Sequence, residues 1–323
     1  MQTKISVVIP TYNRPSLLTR CLRSLSRQSL DKESFEVIVI SDGPDPDTSR
    51  ALRPWLRRTK LNLTFLSTEI KKGPAASRNL GWLNARARLI AFTDDDCIPA
   101  QNWLQTFLNN YNDQQCIAFS GYTRVPLSQQ PTDFALTTAR LQEAEFITAN
   151  CACTKQALIL SGGFDERFKL AWREDSDLHF KLIRLGVPIV KLSEAEVIHP
   201  VRDTTWGISL REQKKSAYEA LLFRKYPDLY RSKIGSRPLW NYYAINLLWM
   251  VLIAAIATRQ TDLTKIVAVV QAILLLSFAC KRLHGSSKSL NHIFEMLSTS
   301  MLIPSLSIYW RIYGAFKYRV LFI

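Results

Sequence analysis

Short apolar, β-branched runs alternate with amphipathic stretches along the opening part of the chain. Ile5-Ser-Val-Val-Ile9, closed by Pro10, reads as a buried parallel strand. Beyond Thr11-Tyr-Asn-Arg-Pro15, the positions Leu17, Leu18, Cys21, Leu22 and Leu25 recur at spacings of three and four, which predicts a helix from near Pro15. Residues 36–41 predict a second strand, ended by the turn-forming cluster Asp42-Gly43-Pro44-Asp45. Two strands about one helix make a βαβ unit. The alternation continues with a helix over 48–55, a strand over 63–66, a helix over 75–87 and a strand over 89–92. This predicts an α/β domain with a largely parallel sheet flanked by helices. Further on, the pattern predicts helices over 103–111, 137–146 and 174–185, and a strand over 117–119.

The pattern changes in the last third. Residues 202–237 carry nine Lys/Arg against four Asp/Glu, and residues 238–258 then run for 21 positions without a charge. At about 1.5 Å per residue that run spans the roughly 30 Å hydrocarbon core of a bilayer. A second run over 266–280 is shorter, but it gains Leu263 if Lys265 reaches the interface. Two spans are predicted, over 238–258 and 263–280; a pair of helices buried in a soluble core fits the second run better than the first. Basic residues crowd both flanks and thin out between the spans, which places the flanks and the first domain on the cytoplasmic side of the inner membrane. The segment over 293–323 is apolar but interrupted by Glu295, Pro304, Arg311, Lys317 and Arg319, and it reads as an interfacial amphipathic helix. The expected domains are 1–201, a basic juxtamembrane linker with helices over 202–237, and a membrane region over 238–323.

Composition adds limits. A chain of 323 residues with 47% apolar and 21% charged residues can bury a substantial core and is neither disordered nor collagenous. The mean hydropathy of −0.04 averages unlike parts, because residues 239–323 hold only eight Lys/Arg and two Asp/Glu. The net charge of +15 suits nucleic acid, anionic lipid or polyphosphate partners, and the basic stretch over 50–60 leaves a nucleic-acid-binding or scaffold role open. Six cysteines without a Cys-x-x-Cys pair predict reduced thiols rather than a zinc ribbon. Met1-Gln-Thr-Lys4 leads straight into the first strand, with no signal-peptide pattern.

The chemistry concentrates in three places. Thr93-Asp94-Asp95-Asp96 follows an apolar strand, where ligands of open α/β sheets bind, and adjacent acids there call for a cation or hydrogen-bond donors. Oxygen ligands favour Mg²⁺ or Mn²⁺, shared with substrate phosphates; helix-capping acids are the plainer alternative. The second place is Gly162-Gly163-Phe-Asp-Glu, followed by Trp172-Arg-Glu174-Asp175-Ser-Asp177, where the glycines permit close approach of a ligand and the acids suit a helix N-terminus. The third is His199, after the alternation Ala195, Val197.

Taken together, Val-Val-Ile-Pro-Thr-Tyr-Asn-Arg, the Asp42 turn, Lys72-Gly-Pro-Ala-Ala-Ser-Arg78-Asn79, the Asp triplet, Gly-Gly-Phe-Asp-Glu and Glu-Asp occur in an order that resembles the family-2 glycosyltransferases of the GT-A fold, over about residues 3–200. The resemblance implies a Rossmann-like domain and inverting transfer of a sugar from a nucleotide diphosphate sugar to a lipid-linked or glycan acceptor at a membrane, with no nucleic-acid partner. It assigns Pro10, Thr11, Tyr12 and Asp42 to the nucleotide base and ribose, and Arg78 to the nucleotide or its diphosphate. Asp94 would hold ribose or a metal-bound water, Asp95 would lie beside them, and Asp96 would ligate Mg²⁺ or Mn²⁺ with Asp94 and His199. Asp175 would be the general base, oriented by Glu174, with Asp177 as its rival; Gly162, Gly163 and Trp172 would face the acceptor. A nucleotidyltransferase on the same sheet is a more distant reading, and the single-Asp form Ser41-Asp42-Gly43 departs from the common double-Asp form.

Overall fold

Every residue of the strands β1 (Ile5–Thr11) and β2 (Phe35–Ser41) is buried, as a sheet covered on both faces requires. Successive residues of these strands serve opposite layers. Val7, Ile9, Val37 and Val39 enter one hydrophobic core, and Val8, Ile38 and Ile40 enter the other. In the computed structural model, which describes residues 3–58, 61–235 and 237–322, the elements run in this order. β1 is followed by α1 (Pro15–Leu25), β2, α2 (Pro46–Arg58), β3 (Leu63–Ser67), α3 (Pro74–Leu83), β4 (Leu89–Phe92), β5 (Ile98–Pro99) and α4 (Trp103–Asn110). Then come β6 (Ala118–Arg124), α5 (Asp133–Ala139), β7 (Cys151–Thr154), α6 (Lys155–Ser161), α7 (Glu174–Arg184) and β8 (Ile189–Ile198). The remainder is helical: α8 (Ile208–Glu212), α9 (Ala217–Lys225), α10 (Pro227–Lys233), α11 (Trp240–Ala257), α12 (Thr261–Leu283) and α13 (Leu290–Lys317). Residues 1–2, 59–60, 236 and 323, which fall in the expected first domain, basic stretch, linker and tail, lie outside the described residues.

The sheet order is β3-β2-β1-β4-β7-β6-β8-β5. β1 pairs in parallel with β2 and β4, β2 with β3, and β6 with β8, whereas β7 runs antiparallel to both β4 and β6. The sheet is therefore mostly parallel but mixed, flanked by helices in a GT-A-like arrangement. α3 lies close on β1 and β2 because it carries Gly81: a Cβ there would meet Val8 Cγ1 at 2.5 Å and Ile40 Cδ1 at 2.6 Å.

The chain folds as two units, Met1–Pro126 with Ala139–Val201, and Leu127–Thr138 with Arg202–Ile323. The segment Leu127–Thr138 thus groups with the C-terminal helices, a discontinuity that the sequence pattern does not reveal. The helix expected over 137–146 is corrected: α5 ends at Ala139, a 3₁₀ turn covers Arg140–Glu143, and Ala144 is extended. The physical reason lies just beyond, where Phe146 enters one core layer and its neighbour Ile147 the other, as an extended chain allows.

Within the second unit, α11 and α12 are long and apolar enough to cross a membrane by length and composition. They bury only Ile245, Ala255, Val267, Gln271 and Ala279 while exposing Leu247, Met250, Ile253, Ile266, Val269 and Ile273. α12 is longer than the expected 263–280. The segment expected to be an interfacial helix over 293–323 falls on the helix Leu290–Lys317, which runs through Pro304, with one face buried at His292, Met296, Thr299, Ile303 and Ser307 and apolar residues such as Phe294, Met301 and Ile312 exposed.

Candidate active site at the carboxyl end of the sheet

The register sets Thr11 of β1 opposite Ser41 of β2, and Val8 of β1 opposite Phe92 of β4. The residues that follow these three strands, Tyr12, Asp42 and the Asp triplet, therefore leave the sheet at one edge, where the chain order switches about β1. Pro10 sits inside β1 opposite Ile40. Asp42 is buried, and its Oδ1 accepts the backbone N–H groups of Lys72 and Gly73, both at 2.8 Å, fixing the loop that enters α3. Gly73 is required there: its φ is +100°, and a Cβ would lie 2.6 Å from the Lys169 carbonyl oxygen. The Lys71 ammonium stands 4.0 Å from the Tyr12 ring centroid.

The three acids of the triplet have different surroundings. Asp95 is turned inward, accepting a hydrogen bond from the Thr11 hydroxyl at 2.7 Å and facing Arg14 at 3.4 Å. Burial pushes its carboxyl up to about 6, with Arg14 opposing. Asp94 is more exposed and pairs with Arg78 at 2.7 Å. Arg78, on α3, is buried and donates also to Glu174 at 3.1 Å, so one guanidinium ties the Asp triplet to the Glu-Asp helix. Burial works against its charge, but Asp94 and Glu174 outweigh it and raise the Arg78 pKa.

Glu174 and Asp175 open α7. The residue before them, Arg173, has φ 72°, a left-handed conformation that costs an ordinary residue strain and recurs where a site over-determines the backbone. Burial lifts both carboxyls above their usual range; Arg78 opposes the lift at Glu174, and the Ser176 N–H, which Asp175 accepts at 2.6 Å, opposes it at Asp175. Asp175 keeps part of its surface in solvent. Asp177 has none and pairs with Lys181 at 3.2 Å, which gives it a structural task. Trp172 is 38% exposed, with the Arg173 guanidinium 4.8 Å from its ring.

A third group of polar atoms lies beside the triplet. One ligand atom each from Asp96, Cys97 and His199 falls within 4.8 Å of the others, all three residues buried. His199 follows β8 and is held by its N–H to the Arg124 carbonyl at 2.8 Å, which brings Nε2 to 3.8 Å from Asp96 Oδ1. Its Nδ1 is buried without a hydrogen-bond partner among the described residues, so the ring has capacity that the protein does not use. A carboxylate and an imidazole suit a hard divalent ion, whereas the soft sulfur of Cys97 suits it poorly; burial pushes that thiol well above its usual pKa.

Several contributors carry no assignment from the sequence. Arg14 steadies Asp95, and the Arg20 guanidinium donates to the Asp96 carbonyl at 3.3 Å; the Thr-Tyr-Asn-Arg motif contains the signal for the first. Asn79 binds the Phe164 backbone through both ends of its amide, N–H and carbonyl, each at 2.9 Å. Gly162 ends α6 in the left-handed conformation, and a Cβ on Gly163 would lie 2.7 Å from Asn79 Oδ1, so helix termination and close packing account for the glycine pair.

Residues 6–166 match the family described as Glycosyl transferase family 2. Among curated proteins, a Validoxylamine A glucosyltransferase of Streptomyces hygroscopicus subsp. limoneus is 26% identical over 247 residues, 65% of this chain and 52% of the relative. A GalNAc(5)-diNAcBac-PP-undecaprenol beta-1,3-glucosyltransferase of Campylobacter jejuni is 30% identical over 110 residues, 34% of this chain and 35% of the relative. The chain spans from a third to just over half the length of the first such relatives it matches. Among solved structures, the mannosyltransferase PcManGT from Pyrobaculum calidifontis, in complex with GDP-Man and Mn²⁺, superposes with a TM-score of 0.60 at 18% identity, covering 96% of this chain and 88% of that one.

Proposed function

This chain belongs to glycosyl transferase family 2, and from that premise we propose that it transfers a sugar, with inversion, from a nucleotide diphosphate sugar to a hydroxyl or phosphate of a membrane-associated, lipid-linked or glycan acceptor. The observation that carries the reading is the convergence of Arg78, Asp94 and Glu174 within hydrogen-bond distance beside Asp96 and His199, all beyond the carboxyl ends of parallel strands. This is where an anionic donor and a base can meet. The family match favours a transferase over the nucleic-acid-binding and nucleotidyltransferase readings.

In this proposal Pro10, Thr11, Tyr12 and Asp42 frame the base and ribose, and Asp94 accepts a hydrogen bond from a ribose hydroxyl. Asp96 and His199 would hold Mg²⁺ or Mn²⁺, which supplies charge neutralisation for the departing diphosphate. Asp175 removes the proton from the acceptor hydroxyl as the oxygen attacks the anomeric carbon; the C–O bond to the diphosphate breaks as the new C–O bond forms. A single displacement needs no nucleophile from the protein. Glu174, fixed by Arg78, holds the start of α7 so that Asp175 faces the acceptor, and Trp172 offers a ring for it to lie on.

The acceptor class is inferred from α11 and α12, which offer bilayer-length apolar surfaces, and from the undecaprenol-linked substrate in the name of the Campylobacter relative. Lys281 and Arg282 lie in the last turn of α12, Lys288 follows it and the basic stretch precedes α11, so the orientation proposed is catalytic unit toward the cytoplasm at the inner membrane.

Calorimetric titration of detergent-solubilised chain with UDP, GDP and dTDP, with and without Mn²⁺, tests the donor site. Metal-dependent binding of one nucleotide, lost in Asp96→Ala, is expected. Binding of none would overturn the reading.

A further inference from the structure

The second unit contains a cavity of ≈ 240 Å³ between α5, the start of α8 and the first turns of α13. In a chain of net charge +15, this cavity is lined, among the described residues, by no lysine or arginine; its charged walls are Asp133 and Glu295, and hydroxyl and amide side chains make up much of the rest. At its wall, the indole of Trp206 is 48% exposed and lies 6.4 Å, centroid to centroid, from the ring of Phe294, inclined by 33°.

We propose that this cavity binds a neutral sugar ring of the acceptor, laid on Trp206 and hydrogen-bonded by Glu295 and Asn291. The chemistry selects among occupants. A phosphate or diphosphate headgroup would meet two carboxylates and no lining lysine or arginine, and an acyl chain would bury hydroxyl groups without partners. A metal ion would have to displace the cations and the N–H that the carboxylates already hold, since Asp133 pairs with Arg282 at 2.8 Å and Glu295 accepts the Gly207 N–H at 2.7 Å while facing His292 at 3.5 Å, whereas a hydroxyl needs only one further lone pair of Glu295. A sugar suits what remains, since its hydroxyls both donate and accept and its C–H face packs on an aromatic ring.

The walls are built in advance of a ligand. His292 Nε2 accepts the Asp133 N–H at 3.3 Å, and the Ser289 side chain caps α13 by accepting the His292 N–H. Arg282 also donates to the hydroxyls of Thr299 and Ser300, so the cation that pairs with Asp133 is itself held in place. The wall over residues 204–209 comes a few positions after His199 in the sequence. Assigning the sugar to the acceptor rests on the proposed transferase function; the cavity's preference for a sugar does not.

Saturation-transfer NMR on the full chain in detergent, with methyl β-D-glucopyranoside, methyl α-D-mannopyranoside and methyl N-acetyl-β-D-glucosaminide as probes, tests the assignment. At least one probe should bind, and binding should weaken about threefold to tenfold in Trp206→Ala and in Asn291→Ala, as loss of an aromatic contact or a hydrogen bond predicts. Both side chains are exposed, and each variant is checked by its nucleotide titration, which should match that of the parent chain. No binding, binding indifferent to both variants because the probe sits in the donor site, or displacement of the probe by inorganic pyrophosphate would overturn the cavity assignment. Loss of nucleotide binding in the parent chain with Trp206-dependent sugar binding intact would instead overturn the transferase reading and leave the cavity a sugar site.

Discussion

Arg78 donates to Glu174 across 3.1 Å, although 96 positions separate them in the chain. The same guanidinium reaches Asp94 at 2.7 Å, so two motifs far apart in sequence share one buried cation.

Removing that cation strands a buried carboxylate. Arg78→Met is expected to destabilise the chain by about 3 kcal/mol, the usual cost of breaking a buried pair from one side. The double variant Arg78→Met/Glu174→Gln should recover a large part of the loss. Thermal unfolding of the two variants checks this; equal destabilisation in both would show that Glu174 does not depend on Arg78.

The proposed mechanism gives Asp175 and Asp177 different tasks. Asp175→Asn is expected to lower kcat by about 10²–10⁴-fold while leaving nucleotide affinity unchanged, as removal of a general base does. Asp177→Asn should instead lower Tm, because Asp177 is fully buried against Lys181. Steady-state kinetics and calorimetry on both variants distinguish them, and a reversed pattern would make Asp177 the base.

In the proposed mechanism the acid side of the pH–rate profile follows from the raised Asp175 carboxyl. A base works deprotonated, so activity is lost as pH falls through its pKa, and a pKa lifted by burial moves that loss upward from the ordinary carboxylate region of about 4. The profile of kcat/KM between pH 4 and 8 should show this displaced limb, and Asp175→Asn should abolish it.

Gly81 sets the separation of α3 from the sheet. Gly81→Ala places a methyl group against Val8 and Ile40 and is expected to cost about 1–3 kcal/mol by overpacking, despite the better helix propensity of alanine. Because α3 also carries Arg78, nucleotide affinity should fall along with Tm. Unchanged values of both would show that α3 shifts freely on β1 and β2.

The exposed faces of α11 and α12 discriminate between bilayer and water. Leu247→Lys with Ile253→Lys on α11 would be nearly neutral on a helix facing water, but in a bilayer each costs about 2.5–3.5 kcal/mol at mid-span. The parent chain should float with liposomes and resist carbonate extraction, and the double variant should be extracted. If both behave alike, the helices do not span.

Legibility in the sequence follows the local character of each signal. β1 to β4 are readable because apolar residues dominate each short run, and the carboxyl ends of β1, β2 and β4 lead to Tyr12, Asp42 and the Asp triplet. β7 is not, since Cys151-Ala-Cys-Thr154 is short and resembles no strand, and β8 is not, because its ten residues mix buried and exposed positions irregularly. The candidate site residues are readable by type and order. Their partnerships are not: nothing local tells that Asp95 turns inward to Thr11, that Asp94 serves Arg78, or that His199 comes beside Asp96 and Cys97. Those relationships depend on how strands pair, which the residues themselves do not announce.

The grouping of Leu127–Thr138 with the C-terminal helices has a consequence for the order of synthesis. Asp133 leaves the ribosome 149 residues ahead of Arg282, and its backbone N–H 159 residues ahead of the His292 nitrogen that accepts it. The nascent N-terminal unit must therefore carry this segment unpaired while the apolar helices are still being made. For the same reason a chain stopped after Val201 would carry Leu127–Thr138 without the helices it groups with.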